Sequence, residues 1–360
     1  MARFGISVAE APLRLAGGIG ALTRRIEAAE NVRDLLPWER EPLGDLLEHF
    51  KGVHIAGFMH VPEGEKGDNY IVQAARLAEV PHVLCEPGKW AMSSLFARRG
   101  VTDIIAPSAP ACAHWMESIA ESTVPAARRG SVPVCHVINP GVDLGNGRAP
   151  LPQKRQRPPL RQTLAEGGEV VVAWIGRVAP VKGPGMFLRV AALLVAARPD
   201  VRFRFRVIGD GPLMGHLRAL ADALALSDAV VFDGWLPRRE VLPALRRGVD
   251  LVLHTEFVET YCITNVQAMA TARPLVSFGT AGVAEYLERT DVHGMVSPKP
   301  TPESMAKCVL SLLRHPGVAA AMGEAAARHV ADLYIDISLE STGDKYVRLY
   351  TQLTLMNPQL

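Results

Sequence analysis

Arg177 and Lys182 stand five residues apart in Gly176-Arg177-Val178-Ala179-Pro180-Val181-Lys182-Gly183, a loop sequence that follows an apolar run and precedes a helical one. A planar guanidinium fork and a compact ammonium, backed by the amides of a helix N-terminus, suit the oxygens of a diphosphate. Two exposed loop cations would give the same pattern. The order of Gly and Lys is not that of a Walker loop. A second run, His254-Thr255-Glu256-Phe257-Val258-Glu259-Thr260-Tyr261-Cys262-Ile263-Thr264-Asn265-Val266-Gln267, places Glu259 just ahead of a helix expected to start near Cys262. A carboxylate there accepts hydrogen bonds from sugar hydroxyls. The backbone from Cys262 through Ile263 to Thr264 offers amides to a phosphate, and Gln267, one to two turns into the helix, can reach ribose hydroxyls. The plainer reading is a helix capped by Thr260 with Glu259 favouring its dipole. Gly209-Asp210-Gly211-Pro212 and Phe232-Asp233-Gly234-Trp235 are turn sequences that let backbone approach closely. Trp235 would wall a flat base or sit in the core.

Loops of this kind need a sheet beneath them. Apolar runs at 170–175, 203–208, 229–232, 250–253, 274–278 and 294–297 alternate with amphipathic stretches at 186–197, 213–226, 240–247, 263–271 and 302–314. Short strands interleaved with helices imply βαβ units, a parallel sheet and helices on both faces, with ligands bound at the carboxyl ends of the strands. In the first half, strands are expected at 52–56, 82–85, 103–106 and 134–138, and helices at 68–79 and 109–120. Helical patterns at 318–333 and 339–355 close the chain. The expected organisation is α/β: a compact Rossmann-like domain over residues 1–140, a linker over 141–169, a ligand-binding doubly wound domain over 170–335, and a last helix within 336–360. The linker is rich in Pro, Gly and basic residues (Arg148, Lys154, Arg155, Arg157, Arg161), which fits a solvated connection or a contact with an anionic membrane or nucleic acid.

Composition narrows the class. At 360 residues the chain exceeds what one core usually supports. A net charge of +2 gives no field that would argue for nucleic acid, so no nucleic-acid partner is expected. The five cysteines (Cys85, Cys112, Cys135, Cys262, Cys308) show no metal-ligand spacing, and their odd number argues against a disulfide framework and for a reducing compartment. No His-Glu-x-x-His run occurs; His54 and His60 are too loosely placed for zinc, and no metal site is expected. No segment approaches the roughly 20 apolar residues that span a bilayer, and residues 1–20 lack a long apolar stretch. A cytoplasmic protein without a transmembrane segment is expected, with peripheral membrane contact left open.

Six segments in order, GRVAPVKG, GDGP, FDGW, EFVETYCITNVQAMATARPLV, GTAGVAEYL and HGMVSP, resemble the group-1, retaining glycosyltransferases of GT-B fold. In the first half, Gly17-Gly18-Ile19-Gly20 resembles the family's glycine-rich loop near the donor phosphates, and GVHIAG, IIAPS and VINPGVD resemble its recurrent strands and exit. The resemblance implies two Rossmann-like domains facing each other, with the final helix crossing back to the first. It implies transfer of a sugar from a nucleoside diphosphate sugar to an acceptor (glycan, lipid or small molecule), with retention and with no metal or cofactor. Arg177, Lys182 and Glu259 would be catalytic, Glu259 matching the first Glu of the family's Glu-x7-Glu motif. Gly17, Gly18, Ile19, Gly209, Gly234, Cys262, Ile263, Thr264 and Gln267 would bind the donor.

Several positions depart from the pattern. Gln267 replaces the motif's second Glu, Cys262 and Ala272 stand where Gly is usual, and Ala281 replaces the first Gly of a pair; Glu285 is kept. The His that many members carry after the strand matching 82–85 is absent from Glu86-Pro87-Gly88-Lys89, with His60 or Glu86 as possible substitutes. These departures keep a second reading open, a catalytically impaired GT-B protein that binds a nucleotide sugar or serves as a partner subunit. A Rossmann dehydrogenase is disfavoured, because no Gly-x-Gly-x-x-Gly opens a helix after the first strand of either half.

Overall fold

A computed structural model of the chain describes residues 55–59, 82–86, 102–120, 132–144 and 158–355, apart from Val258 and Glu288. The chain divides into two compact units, Met1–Ile138 with Asp344–Leu360, and Asn139–Gly343.

Among the described residues, the first unit holds four parallel strands in chain order: β1 (Ile55–Met59), β2 (His82–Glu86), β3 (Asp103–Ala106) and β4 (Val134–Val137). Of the strand expected at 52–56, residues 52–54 lie outside the described residues, and Ile55 and Ala56 lie in β1. Its pairing with β2 carries on through Gly57 to Phe58 and Met59, so this glycine does not end the strand. β3 is buried along its whole length, as a central parallel strand must be. Within it, Asp103 accepts a hydrogen bond from Thr102 Oγ1 at 2.7 Å and lies 2.7 Å from His136 Nε2 on β4. α1 (Ala109–Ala120) crosses from β3 to β4, its first turn held by Ala111 N–H donating to Ser108 Oγ and its inner face anchored by buried Trp115. Cys112 and Cys135 are joined by a disulfide between α1 and β4, contrary to the expectation from the odd cysteine count. The expected helix at 68–79 and the Gly17-Gly18-Ile19 loop lie outside the described residues.

The second unit is a six-stranded parallel sheet in the order β10-β9-β8-β5-β6-β7. Its elements are α2 (Leu160–Ala165), β5 (Val170–Ile175), a 3-10 turn (Pro180–Lys182), α3 (Pro184–Ala197), β6 (Phe203–Ile208), α4 (Met214–Ala223), β7 (Val230–Gly234), α5 (Arg238–Gly248) and β8 (Leu251–His254). They continue as α6 (Ile263–Ala270), β9 (Leu275–Phe278), α7 (Ala281–Ala284), β10 (Met295–Ser297), α8 (Pro302–Arg314) and α9 (Pro316–Ile337); α10 (Leu339–Leu355) follows and belongs from Asp344 on to the first unit. The strands are Val-, Ile- and Phe-rich because both faces are covered. Val170, Val172 and Trp174 enter the core that contains Phe187, Leu188 and Leu312, while Ala173 enters the one that contains Leu245, Val266 and Met269. That alternation follows from the two-residue repeat of a strand. Each fully buried Phe or Leu contributes about 1.5–3 kcal/mol.

The described parts of the expected linker belong to this second unit. Val142 and Leu144 are buried in its core, Val142 N–H donates to Ile337 O, and α2 buries Leu160 and Thr163. A polar, Pro-rich composition conceals such isolated apolar anchors. At the other end, Leu349 and Leu353 of α10 pack with Ile105 and Ile138 of the first unit, to which the chain from Asp344 belongs.

The chain winds from β5 through β6 to β7, then returns to lay β8 against the other edge of β5. At such a reversal the loops leaving two neighbouring strands turn to opposite faces and open a crevice. Here those are the β5 loop, which carries Lys182, and the β8 loop, which carries Glu259.

Candidate active site

The two loops are clamped together by backbone. Gly183 adopts a left-handed conformation (φ 61°), and a Cβ on it would meet Thr255 O at 2.4 Å. Thr255 Oγ1 donates to Gly183 O at 2.9 Å and accepts from Trp174 Nε1 at 2.9 Å. Only glycine satisfies both the dihedral and the contact. The clamp delivers Lys182 Nζ to two carboxylates, Glu256 Oε2 at 2.6 Å and Glu259 Oε2 at 3.1 Å, both almost wholly buried. Burial alone would lower the Lys182 pKa; the nearby Glu259 and Glu256 charges outweigh it and hold the ammonium above its ordinary value.

Glu259 is fixed from the other side as well. Its Oε1 accepts from Thr260 N at 2.9 Å and Tyr261 N at 3.3 Å. Gly282 N donates to Glu259 O at 2.9 Å, and a Cβ on Gly282 would lie 2.2 Å from Thr260 C. The cap of α6 is therefore not Thr260. It is Cys262, in a left-handed conformation (φ 63°) and 8 % exposed, with Sγ 3.2 Å from Thr264 Oγ1. Ala272, just past the end of α6, is left-handed too (φ 57°). Both positions carry a side chain in a conformation that favours glycine. His254 ends β8, with Nδ1 3.0 Å from Ser277 Oγ and Nε2 3.7 Å and 3.8 Å from the carboxylates of Glu256 and Glu259. Burial disfavours charge on His254, but Cys262 and the two carboxylates hold its pKa well above the ordinary value. Burial likewise pushes the Cys262 thiol up, and His254 more than offsets it, leaving the pKa lowered.

The structure thus brings together Lys182, Glu259, Cys262 and the first turn of α6 with Ile263 and Thr264, whose amides have no acceptor within the helix. Arg177 is exposed on the same β5 loop and forms no ion pair among the described residues. Gly209 (φ 140°) presses the β6 loop onto the β5 loop, where a Cβ would lie 1.9 Å from Gly176 O. Its N–H donates to the carbonyl of Gly234, itself left-handed at φ 73°. Gln267 is buried within α6. Trp235 is 71 % exposed, which rules out the core reading. Gly17, Gly18, Ile19 and His60 lie outside the described residues, and Glu86 ends β2. Two residues escaped the sequence reading, His254 and Glu256. They alternate along extended chain just before the loop, a pattern overshadowed by the helix start that follows.

Residues 156–329 match the family model described as glycosyl transferases group 1. Over 222 residues the chain is 30 % identical to D-inositol 3-phosphate glycosyltransferase from Salinispora arenicola, covering 58 % of this chain and 48 % of that protein. Over 200 residues it is 31 % identical to alpha-D-kanosaminyltransferase from Streptomyces kanamyceticus, covering 56 % and 50 %. The chain spans about half the length of these curated relatives. Among solved structures, Anabaena HepE in complex with UDP and glucose aligns with a TM-score of 0.65 at 16 % identity, over 87 % of this chain and 82 % of that one. Sucrose-phosphate synthase from Thermosynechococcus elongatus aligns with a TM-score of 0.65 at 15 % identity, over 90 % and 81 %. Likeness at that identity speaks for the fold, which is of GT-B type. The family match spans both the β5 and β8 loops: residues 156–329, a little under half of the chain, are similar to the group 1 glycosyltransferases.

Proposed function

We propose that the chain transfers a sugar from a nucleoside diphosphate sugar to an acceptor hydroxyl, with retention at the anomeric carbon. The observation that carries this reading is the meeting of Lys182 and Glu259, 3.1 Å apart, from two loops at the strand-order reversal beside the N-terminus of α6. On this reading the diphosphate draws the Lys182 ammonium and the exposed Arg177 guanidinium onto its oxygens. The first amides of α6, at Ile263 and Thr264, complete the cradle. Glu259 accepts hydrogen bonds from the sugar, Gln267 serves the ribose, and the close-packed turns at Gly209 and Gly234 shape the floor.

Cleavage of the anomeric C–O bond moves negative charge onto the leaving diphosphate, where fixed cations are worth most. The acceptor oxygen bonds to the anomeric carbon on the face the diphosphate leaves, and its proton passes to a diphosphate oxygen. Neither a protein nucleophile nor a metal is called for. UDP as the nucleotide is supported by the solved relative that holds UDP and glucose. No helix among the described residues is long and apolar enough to cross a membrane, and a cytoplasmic location suits use of a nucleotide sugar.

The test is calorimetric titration with UDP, GDP and ADP and their sugar conjugates. One nucleotide should bind. Binding should weaken in Arg177→Ala, and more in Lys182→Met combined with Glu256→Gln, which leaves Glu256 no uncompensated charge. Absence of binding by every nucleotide would overturn the reading. Cys262 favours the impaired-protein alternative, since it places a side chain at the cap where phosphate would approach backbone. Binding without transfer or donor hydrolysis would decide for that alternative.

A further inference from the structure

We propose that His254, Glu259 and Cys262 form a site for a divalent cation of the zinc type, and that an ion bound there excludes the nucleotide sugar. The first half of this proposal is independent of the donor reading; the exclusion rests on it.

An imidazole nitrogen, a carboxylate oxygen and a thiol sulfur from these residues all lie within 4.8 Å of one another. Nitrogen, sulfur and oxygen in this combination suit Zn2+ rather than Mg2+ or Ca2+, which prefer oxygen alone. Around a tetrahedral zinc such atoms stand about 3.5 Å apart, so shifts of roughly 1 Å close the site. The His254 Nε2 to Glu259 Oε2 edge, at 3.8 Å, is already near that spacing.

The orientation of His254 provides a second observation. Ser277 Oγ donates to Phe278 O at 2.9 Å, so its oxygen is the acceptor for Nδ1–H of His254 at 3.0 Å. This fixes the tautomer and leaves the lone pair on Nε2. That nitrogen is buried, has no hydrogen-bond partner, and faces the carboxylates of Glu256 and Glu259. A lone pair aimed at two carboxylates is repelled unless a proton or a metal lies between. A partner on the far ring nitrogen is also what orients a metal-ligating histidine.

The paired carboxylates fit the same picture. Lys182 now spans both, with its shorter contact, 2.6 Å, to Glu256. An arriving cation takes Glu259 while Lys182 keeps Glu256. Cys262 gives up its thiol proton and His254 the proton held on Nε2, both to solvent, and they bind as thiolate and neutral imidazole. The resulting ion, neutralised by one thiolate and one carboxylate, brings no net charge for a diphosphate and occupies the carboxylate and cap that the donor would use. The glycine usual in the family at position 262 could supply no sulfur.

The experiment uses the full, untagged chain, stripped with a chelator and loaded with Zn2+ alone or Co2+ alone. One Zn2+ per chain is expected by equilibrium dialysis, and the Co2+ form should show thiolate-to-metal charge transfer. Cys262→Gly, whose backbone is already left-handed, and His254→Asn should each weaken Zn2+ at least 100-fold and remove the charge-transfer band. Cys308→Ala should change neither. Unaltered Zn2+ binding in Cys262→Gly or His254→Asn, or a Co2+ form without a thiolate band, overturns the site. For exclusion, saturating Zn2+ should weaken the nucleotide sugar at least tenfold in the parent chain and not in Cys262→Gly. Equal or tighter binding overturns exclusion. A chain that binds zinc but no nucleotide without it would retain the site while overturning the donor reading.

Discussion

In the four-stranded sheet the strands follow chain order, β1-β2-β3-β4, whereas in the six-stranded sheet the order reverses between β5 and β8. Each sheet buries carboxylates, but in different places. Asp103 and His136 meet across neighbouring strands, where they tie the ladder together. Lys182, Glu256 and Glu259 meet beyond the strand ends, on loops that the reversal brings together. Among the described residues, the first sheet has no such reversal. The difference teaches that buried charge by itself says little about function; its position relative to a switch in winding says more.

The strongest challenge to this contrast is kinetic. Lys182→Met with Glu256→Gln should lower sugar transfer about 10²–10³-fold, the usual cost of losing one preorganised group that stabilises leaving-group charge. His136→Gln in the first sheet should leave transfer unchanged. Steady-state rates with the donor identified by titration would check both, and equal losses would erase the distinction. The single change Lys182→Ala should also cost stability, about 3 kcal/mol, because it strands two buried carboxylates.

A second challenge separates loop closure from backbone strain. Gly183→Ala carries the strain of a left-handed non-glycine residue, about 1–2 kcal/mol, and drives Cβ against Thr255 O. A total near 3 kcal/mol by urea unfolding is expected, with loss of nucleotide binding. Gly167 is left-handed as well (φ 64°) but has nothing within 4 Å of the added Cβ. Gly167→Ala should therefore cost only the strain and retain binding. Similar losses in the two variants would mean that the clamp between the loops is not what holds the site.

How much of this was legible in the sequence depended on the kind of signal. Period-two and period-3.6 apolar patterns located β5, β6 and α8 to the residue, because fully buried parallel strands and amphipathic helices repeat regularly. Lys182 and Glu259 were marked as chemistry by loop position. Their direct contact was not legible, since 77 residues separate them and only the sheet order joins them. Glu256 and His254 were passed over because a single side chain in an extended segment has no periodicity to betray its direction. Leu160, Val142 and Leu144 hid in a polar stretch for a related reason: isolated anchors leave no pattern.

The His254–Cys262 pair offers a sharper test through pH. His254, held above its ordinary 6.5, adds stability that is complete below 6.5 and is lost as pH rises through the raised value. Cys262, held below 9.0, adds stability that is complete above 9.0 and is lost as pH falls through the lowered value. Where both groups titrate between 6.5 and 9.0 the two trends have opposite signs and offset one another. Stability relative to His254→Gln should decline toward alkaline pH as His254 loses its proton, by no more than about 1.4 kcal/mol per pH unit and by less where Cys262 opposes it. Urea titrations from pH 5.5 to 10, values chosen to bracket roughly that window, would show it. A difference that slopes steadily across the middle would mean that only one of the groups is shifted.

The smallest effect concerns Ala272, which keeps a left-handed backbone at the end of α6 without being glycine. The residue is buried, so Ala272→Gly removes a packed methyl as well as the strain. Strain relief of about 1–2 kcal/mol acts against the lost methyl and the greater freedom of an unfolded glycine, leaving a net gain of at most about 0.8 kcal/mol. Cys262→Gly relieves the same kind of strain but also removes the sulfur whose pKa His254 and Lys182 lower. Its gain should consequently be smaller than that of Ala272→Gly, or reversed. Parallel melting curves of the two variants would measure this. If Cys262→Gly gained as much, the sulfur would contribute nothing to the folded state, and backbone geometry alone would distinguish the two ends of α6.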